Sequence, residues 1–493
     1  MSVLGLDIGP NLCRGLAINA SGGVAARVQR RYAASSTSGD CQLDARTVWE
    51  AVRKLIAQAA DLTRQDPITA LAISASGEAV VPLSLEGQPL MPCILGGDVR
   101  GAGYAEQVRA LLGVERFYDL TGRLGGQTSV LSKLCWIRDH APGVYRETAR
   151  FCTLGGYIAY QLGVSSATDR TQASATHLLD VNQADWSDEV LRACDLAAAK
   201  MPEVRPAGTP LGPVAGATCR ELGLSGRPLA VLGADDLACT AIGAGVVRPG
   251  QTLYHLGSQL HLAPLYEATP IRRLLYLRGL ETWQHLPVGL LTSPVRYAVG
   301  GNALSWFLDV LSPLERREAL RAGRNPYDLL LGEMPAEPAG PMVMPGDADH
   351  LGGVAVGLGL NTSRGELVRA LLEGLSLQAL AGQQSLLEVG IAVESYRATG
   401  GGSRSARWLQ IAADVMGLPL ERTGEEQSAA LGAAIIAAAG MGLFADLASA
   451  ADALVRVVDR YEPDPARHAH YLAREARFRA LQTPPAQEPV AKP

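Results

Sequence analysis

The chain has 493 residues, 47% of them hydrophobic and 19% charged, with a formal net charge of −5. That length exceeds one hydrophobic core and argues for two large domains, while 54 glycines without a period suit tight turns and backbone-lined sites rather than a collagen-like or linker chain. The mild negative charge, with no basic block, leaves no footprint for nucleic acid, and the longest small apolar run, Ala429 to Met441, is too short to cross a bilayer.

In chain order, residues 3–8 read as a strand of the mature fold rather than a signal segment. Gly9-Pro10-Asn11 turns the chain into a second strand at 13–18, so Asp7 stands at a hairpin's first strand end. Residues 45–63 carry apolar side chains at helical spacing. A strand at 70–74 leads into Ser76-Gly77-Glu78, and Asp98 and Arg100 follow a Gly-Gly turn. Helical patterns come near 103–113, 130–139 and 150–162. Residues 229–232 read as a buried strand that stops at Gly233 and is followed by two carboxylates, Asp235 and Asp236. Carboxylates just past a strand end lie where open α/β sheets place ligands; the alternative is a pair that merely caps the small-residue helix 238–245.

From about residue 247 the pattern begins again. Strands at 252–256 and 260–265 flank Gly257-Ser258, helices are expected at 301–311, 314–322 and 364–388, and a strand ends at Ala398-Thr399 before Gly400-Gly401-Gly402. A helix from about Ser405, a strand at 419–422 and a small-residue helix near Gln427 complete the half. Trp306 is expected in this half's core. Each half opens with a hairpin bearing a polar turn, a faint internal duplication. The Pro-rich, polar tail 483–493 is expected to be disordered. The eight cysteines include no C-x-x-C pair and do not cluster with histidine, which argues against zinc or a redox dithiol and for a reducing, cytoplasmic location.

Several blocks together carry a family likeness. Gly5-Leu6-Asp7-Ile8-Gly9, Gly233 through Gly245, Leu256-Gly257-Ser258, Val368-Arg369-Ala370 through Glu373-Gly374, Thr399-Gly400-Gly401-Gly402-Ser403-Arg404-Ser405 and Ser428-Ala429-Ala430-Leu431-Gly432 resemble, in order, the signatures of the FGGY carbohydrate kinases. The likeness spans about residues 3–445. It implies an α/β protein of two actin-like (ribonuclease-H-like) domains flanking a central cleft, with residues 1–246 as the sugar-side domain and 247–482 as the nucleotide-side domain. It also implies an ATP- and Mg2+-dependent transfer of phosphate to a terminal hydroxyl of a small sugar, a ketose such as xylulose first. A glycerol- or erythritol-type polyol, or a non-catalytic sugar- or nucleotide-binding regulator, are the alternatives. Dimers are common in that family, so a homodimer is the implied assembly.

There is no G-x-x-x-x-G-K-[ST] segment, so the nucleotide is expected on glycine turns whose backbone N–H groups reach phosphate oxygens. The resemblance puts Gly9, Asn11, Gly257, Ser258, Gly300, Gly301, Gly401, Gly402 and Ser405 there. Asp236, seven residues before Gly243, takes the place of the family's catalytic base, with Asp235, where the family usually has glycine, as its rival. Asp7 and Asp236 are the implied magnesium ligands, and Glu78, Asp98 and Asp236 the implied contacts to acceptor hydroxyls, since an acceptor-only carboxylate suits a molecule rich in O–H donors. Arg100 reads as a structural ion-pair partner. Pro10 and Gln259 depart from the family's phosphate turns.

Overall fold

The computed structural model describes residues 1–37, 40–126, 128–268, 271–338, 340–346 and 353–482; the tail expected to be disordered lies outside them. The chain divides into two compact units. One comprises Met1–Pro249, Leu265–Ser293 and Gln427–Arg456, and the other Gly250–Pro264, Pro294–Glu426 and the described part of Val457–Pro493. The first crossing, at Pro249, falls near the expected boundary at 246. Two later segments return to the first unit, which contiguous domains do not provide for.

In the first unit the strand Ser2–Ile8 is buried along its whole length. It pairs antiparallel with Leu12–Asn19 and parallel with Ile68–Ala75, and Leu229–Ala234 pairs parallel with Ile68–Ala75. Val24–Arg31 and Pro210–Pro213 complete the edges. A strand buried on both faces has to be apolar in both registers. Leu4, Leu6 and Ile8 pack with Val48, Val52, Leu55 and Ile56 of the helix Ala45–Leu62, and Val3 packs on the opposite side with Ile242 and Ala434. Because side chains alternate, Gly5 and Asp7 share the face of Val3. The three parallel strands end at Ile8, Ala75 and Ala234, so Asp7, Glu78 and the Asp235–Asp236 pair lie at or just past carboxyl ends.

The Val3 face is covered by backbone. A side-chain carbon on Gly5 would stand 1.8 Å from the Ala430 carbonyl oxygen, one on Gly243 1.8 Å from that of Ser428, and one on Gly432 1.8 Å from that of Cys239. The helices Asp236–Gly243 and Ser428–Gly440 therefore touch main chain to main chain. That is why the later helix is built of Ala and Gly and is buried over nearly its whole length, and why it belongs to this unit although it comes late in the chain.

In the second unit Gln251–Leu256 forms a hairpin with the strand starting at Leu260 and pairs parallel with Ser395–Thr399, which pairs parallel with Leu420–Thr423. Val457–Tyr461 closes that edge antiparallel. The plan of the first unit, a hairpin followed by two parallel strands, is thus repeated. The helix Arg364–Glu388 starts with a capping box of Ser363 and Glu366 and is buried over much of its length.

Two expectations change. Residues 150–162 are not one helix: Arg150–Cys152 is a strand paired with Val81–Leu83, and the helix starts at Leu154 because the Thr153 hydroxyl accepts from Gly156 N at 3.1 Å and caps it. Trp306 is 54% exposed rather than core; it shares an exposed side of the helix Gly301–Leu311 with Val310, while Leu304, Phe307 and Leu308 face inward.

Gly432→Ala is expected to destabilise the protein by ~1–3 kcal/mol, the usual scale for overpacking, seen as a lower denaturant midpoint. Gly332→Ala, where an added carbon meets nothing within 4 Å, should stay within ~0.5 kcal/mol of the parent.

Candidate active site

Asp7 is buried at the end of the central strand. Its oxygens accept from Ser74 Oγ and from Arg14 Nη1, each at 3.3 Å. Arg14 is the cross-strand partner of Asp7 in the hairpin register, which is the signal that could have found it in the sequence. Burial, and then the charge of Asp236, push the Asp7 carboxyl up to about 6, against the pull of Arg14 and Ser74. Asp7 and Asp236 are therefore electrostatic neighbours.

The two candidates for the base have different surroundings. Asp235 is buried, and its carboxylate accepts from Leu237 N at 3.1 Å and from Gly77 N at 2.9 Å. Burial first, and Asp236 second, raise its carboxyl well above the usual range. Asp236 is the first residue of the helix and is exposed. The buried acid accepts from main chain, and its neighbour is exposed to solvent.

Glu78 is half-buried. Its N–H donates to Ser76 Oγ at 3.2 Å, and its carbonyl accepts from Lys133 Nζ at 2.7 Å. Sequence reading passed over Lys133. Its signal is a lysine in the middle of the apolar helix Val130–His140, where it is buried and its ammonium is pulled down to about 8 by burial, against the charges of Glu78 and Asp98. Asp98, expected to meet a substrate hydroxyl, is fully buried. It accepts from Cys41 N at 2.8 Å and from Arg100 Nε and Nη2 at 3.0 and 2.9 Å, and Arg100 lies over the Trp136 ring at 4.8 Å. A carboxylate so enclosed and bidentately paired shapes the neighbourhood rather than presenting itself to a ligand.

In the second unit the glycine turns are stacked on one another. Gly301 N donates to the Gly257 carbonyl at 2.8 Å and Asn302 N to that of Ser258 at 3.3 Å. Gly400 has φ +85°, and a side chain there would stand 2.7 Å from the Leu256 carbonyl; both the sign of φ and the contact require glycine. One on Gly300 would stand 2.8 Å from Gln259 main chain. His255, just before the first turn, meets Thr399, just before the second, at 3.0 Å through Nδ1, and burial holds its pKa below the usual value. Beside these turns, past the carboxyl ends of Ser395–Thr399 and Leu420–Thr423, lies a cavity of about 280 Å³ lined by Gly400, Ser403, Arg404, Thr423 and Glu426, among others.

The nine residues expected at the nucleotide divide by what their polar groups already do. Gly9 N donates to the Leu12 carbonyl at 3.0 Å, and its own carbonyl accepts from the Tyr32 hydroxyl. Gly300 N donates to Asn302 Oδ1 at 2.8 Å, and Gly301 N is taken as above. Ser405 Oγ caps the helix Ala406–Met416 by accepting from Trp408 N at 3.1 Å, and Gly402 packs against the Trp408 ring. These five support the turns. Asn11, Ser258 and Gly401 are exposed, and Gly401 has no heavy atom within 4 Å of where a side chain would begin; Gly257, half-buried, contributes the carbonyl on which the turns stack.

The donor chemistry fits magnesium. Asp7 and Asp236 are oxygen donors, and the repulsion that raises Asp7 is what a divalent cation would offset. Among the described residues no group of three or more His, Cys, Asp or Glu is placed to hold a metal. The stacked turns and the cavity beside them fit a nucleotide.

Each unit thus carries polar groups at the carboxyl ends of a hairpin-plus-parallel sheet. The profile of the FGGY family of carbohydrate kinases matches residues 2–243 with its N-terminal domain and 294–441 with its C-terminal domain. The autoinducer-2 kinase of Escherichia coli (strain K12) is 28% identical over 97% of this chain and 93% of its own. The crystal structure of xylulose kinase from Rhodospirillum rubrum superposes with a TM-score of 0.85 at 28% identity, covering 98% of both chains; Plasmodium falciparum glycerol kinase with ADP shares the fold, with a TM-score of 0.85 at 18% identity and 98% coverage of both. The chain belongs to the FGGY family of carbohydrate kinases. It is a phosphotransferase with an alcohol acceptor that uses ATP with Mg2+ as phosphoryl donor.

Asp7 gives a pH test. The folded protein holds the Asp7 proton more tightly than the unfolded chain, so stability falls as pH rises from 3.8 to about 6 and stays lower beyond. In chelator, Asp7→Asn should be more stable than the parent above that range by ~1–3 kcal/mol, with the gain gone near about pH 4. Denaturant titrations at the two pH values check this, and a difference independent of pH would contradict it.

Proposed function

We propose that the protein phosphorylates a terminal hydroxyl of a short-chain ketose, xylulose first, with Asp236 as general base. The observation that carries this is the contrast within the acidic pair: Asp235 is buried and bonded to main chain, while Asp236 is exposed one residue on, in electrostatic contact with Asp7. An alcohol oxygen attacking the terminal phosphorus of ATP must lose its proton, and a carboxylate within hydrogen-bond reach accepts it as the new O–P bond forms and ADP leaves. Glu78, beside this pair, accepts hydrogen bonds from further hydroxyls and orients the acceptor. Asp7, with Asp236, would hold magnesium, which neutralises phosphate charge. The exposed guanidinium of Arg14 adds positive charge on the same hairpin. In the second unit Ser258, Gly257 and Gly401, on turns held by Gly300, Gly301, Gly402 and Ser405, are the groups offered to the nucleotide; in the first, Asn11, on the turn held by Gly9, is offered to phosphate.

Two further acceptors have specific support. The relatives that are autoinducer-2 kinases favour autoinducer-2, and Glu78, an acceptor-only carboxylate suited to several hydroxyl donors, favours a polyol. All eight cysteines are free thiols, which supports a cytoplasmic location.

ADP release from ATP and magnesium across xylulose, autoinducer-2, glycerol and erythritol tests the reading. Xylulose is expected to show the highest kcat/KM. A lead for autoinducer-2 or for a polyol would transfer the assignment. Asp236→Asn should lower turnover by ~10²-fold or more with ATP affinity unchanged; near-parental turnover would take the base from Asp236.

A further inference from the structure

We propose that Asp235 is a positioning residue whose buried carboxylate couples the acceptor turn at Gly77–Glu78 to the start of the helix that carries Asp236. This rests on the reading above, in which Glu78 and Asp236 both face the acceptor, and adds the element that sets one against the other.

One oxygen, Oδ1, accepts from Leu237 N at 3.1 Å and caps the helix whose first residue is Asp236. The other, Oδ2, accepts from Gly77 N at 2.9 Å, 158 residues away in sequence and next to Glu78. The Asp235 N–H donates to Thr171 Oγ1 at 2.9 Å, and Thr171 is itself held by Asp169, which accepts from its N–H and its hydroxyl at 2.8 and 3.0 Å. Asp235 thus ties together the turn after Ile68–Ala75, the short helix Arg170–Ala175 and the helix Asp236–Gly243.

Gly77 has little freedom to move away from this tie. A side chain on it would stand 2.5 Å from the Gln172 carbonyl oxygen, and Gln172 Nε2 donates to the Ala75 carbonyl at 3.0 Å. Glu78 is then held through its own N–H by Ser76 and through its carbonyl by Lys133. A cap alone does not require a carboxylate, because Ser, Thr and Asn cap as well. What a carboxylate adds over these is a second acceptor oxygen, and here that oxygen reaches Gly77. The resemblance to the family expects glycine at this position, and glycine would make neither contact.

Asp235→Asn separates the two bonds. Its amide oxygen can still cap at Leu237 N, while its NH₂ group faces the Gly77 N–H, donor against donor. The expected result, with xylulose or whichever acceptor the panel identifies, is a rise in acceptor KM of ~10-fold or more, an unchanged ATP KM, and an unfolding midpoint near the parent's. Asp235→Ser, whose hydroxyl caps but is too short to reach Gly77, should behave alike and stands in if the asparagine variant does not fold. In a double-mutant cycle with Glu78→Gln, the two effects on acceptor KM should be non-additive, because both act on one turn. Parental acceptor KM in both Asp235 variants beside a damaging Glu78→Gln would overturn the link alone, as would strict additivity. A silent Glu78→Gln would overturn the acceptor reading and the link with it.

Discussion

The structure of the first unit depends on main chain packed directly against main chain. Gly5, Gly243 and Gly432 each lie where any side chain would collide with a carbonyl oxygen, so the central strand and two helices approach as closely as backbone allows. This contact places the end of the central strand and the start of the Asp236 helix together, and with them two carboxylates. Their mutual repulsion, added to burial, raises Asp7. Two carboxylates held this close are suited to a divalent cation, which would also meet phosphate oxygens, and perturbed carboxylates concentrate at functional sites.

In the second unit the same device serves another end. Turns that could each have offered phosphate donors use most of them on one another: Gly300 and Gly301 spend their N–H groups locally, Ser405 caps a helix, and Gly400 lies on the Leu256 carbonyl. A turn stiffened in this way does not have to be ordered on binding, which is how preorganised backbone contributes to affinity; Gly401 and Ser258 are its exposed residues. The division between supporting and exposed residues depends on which hydrogen bonds are already made.

Much of this was legible in the sequence. The hairpin carrying Asp7, the buried strand before Asp235, the small-residue helices and the glycine turns all follow from local pattern, and the family likeness supplied their grouping. What escaped was set by partners far away in the chain. Asp98 looks like a loop carboxylate until Arg100, Cys41 and Trp136 enclose it. Lys133 looks like a helix-surface lysine until its ammonium is found on the Glu78 carbonyl. Trp306 has the composition of a core residue and the position of an exposed one. The spacing to Gly243 already favoured Asp236 over Asp235 as the base; what the sequence did not show is the bond from Gly77 to Asp235, which only the fold creates.

The proposed role of Asp236, exposed in the first unit, is to take the proton from an acceptor alcohol held by Glu78. A crystal structure of the protein with xylulose bound tests this most directly. The terminal hydroxyl oxygen is expected ~2.6–3.2 Å from an Asp236 carboxylate oxygen, with an internal hydroxyl donating to Glu78. Xylulose bound with its terminal oxygen on Asp235 or Asp98, or beyond hydrogen-bond reach of Asp236, would contradict it.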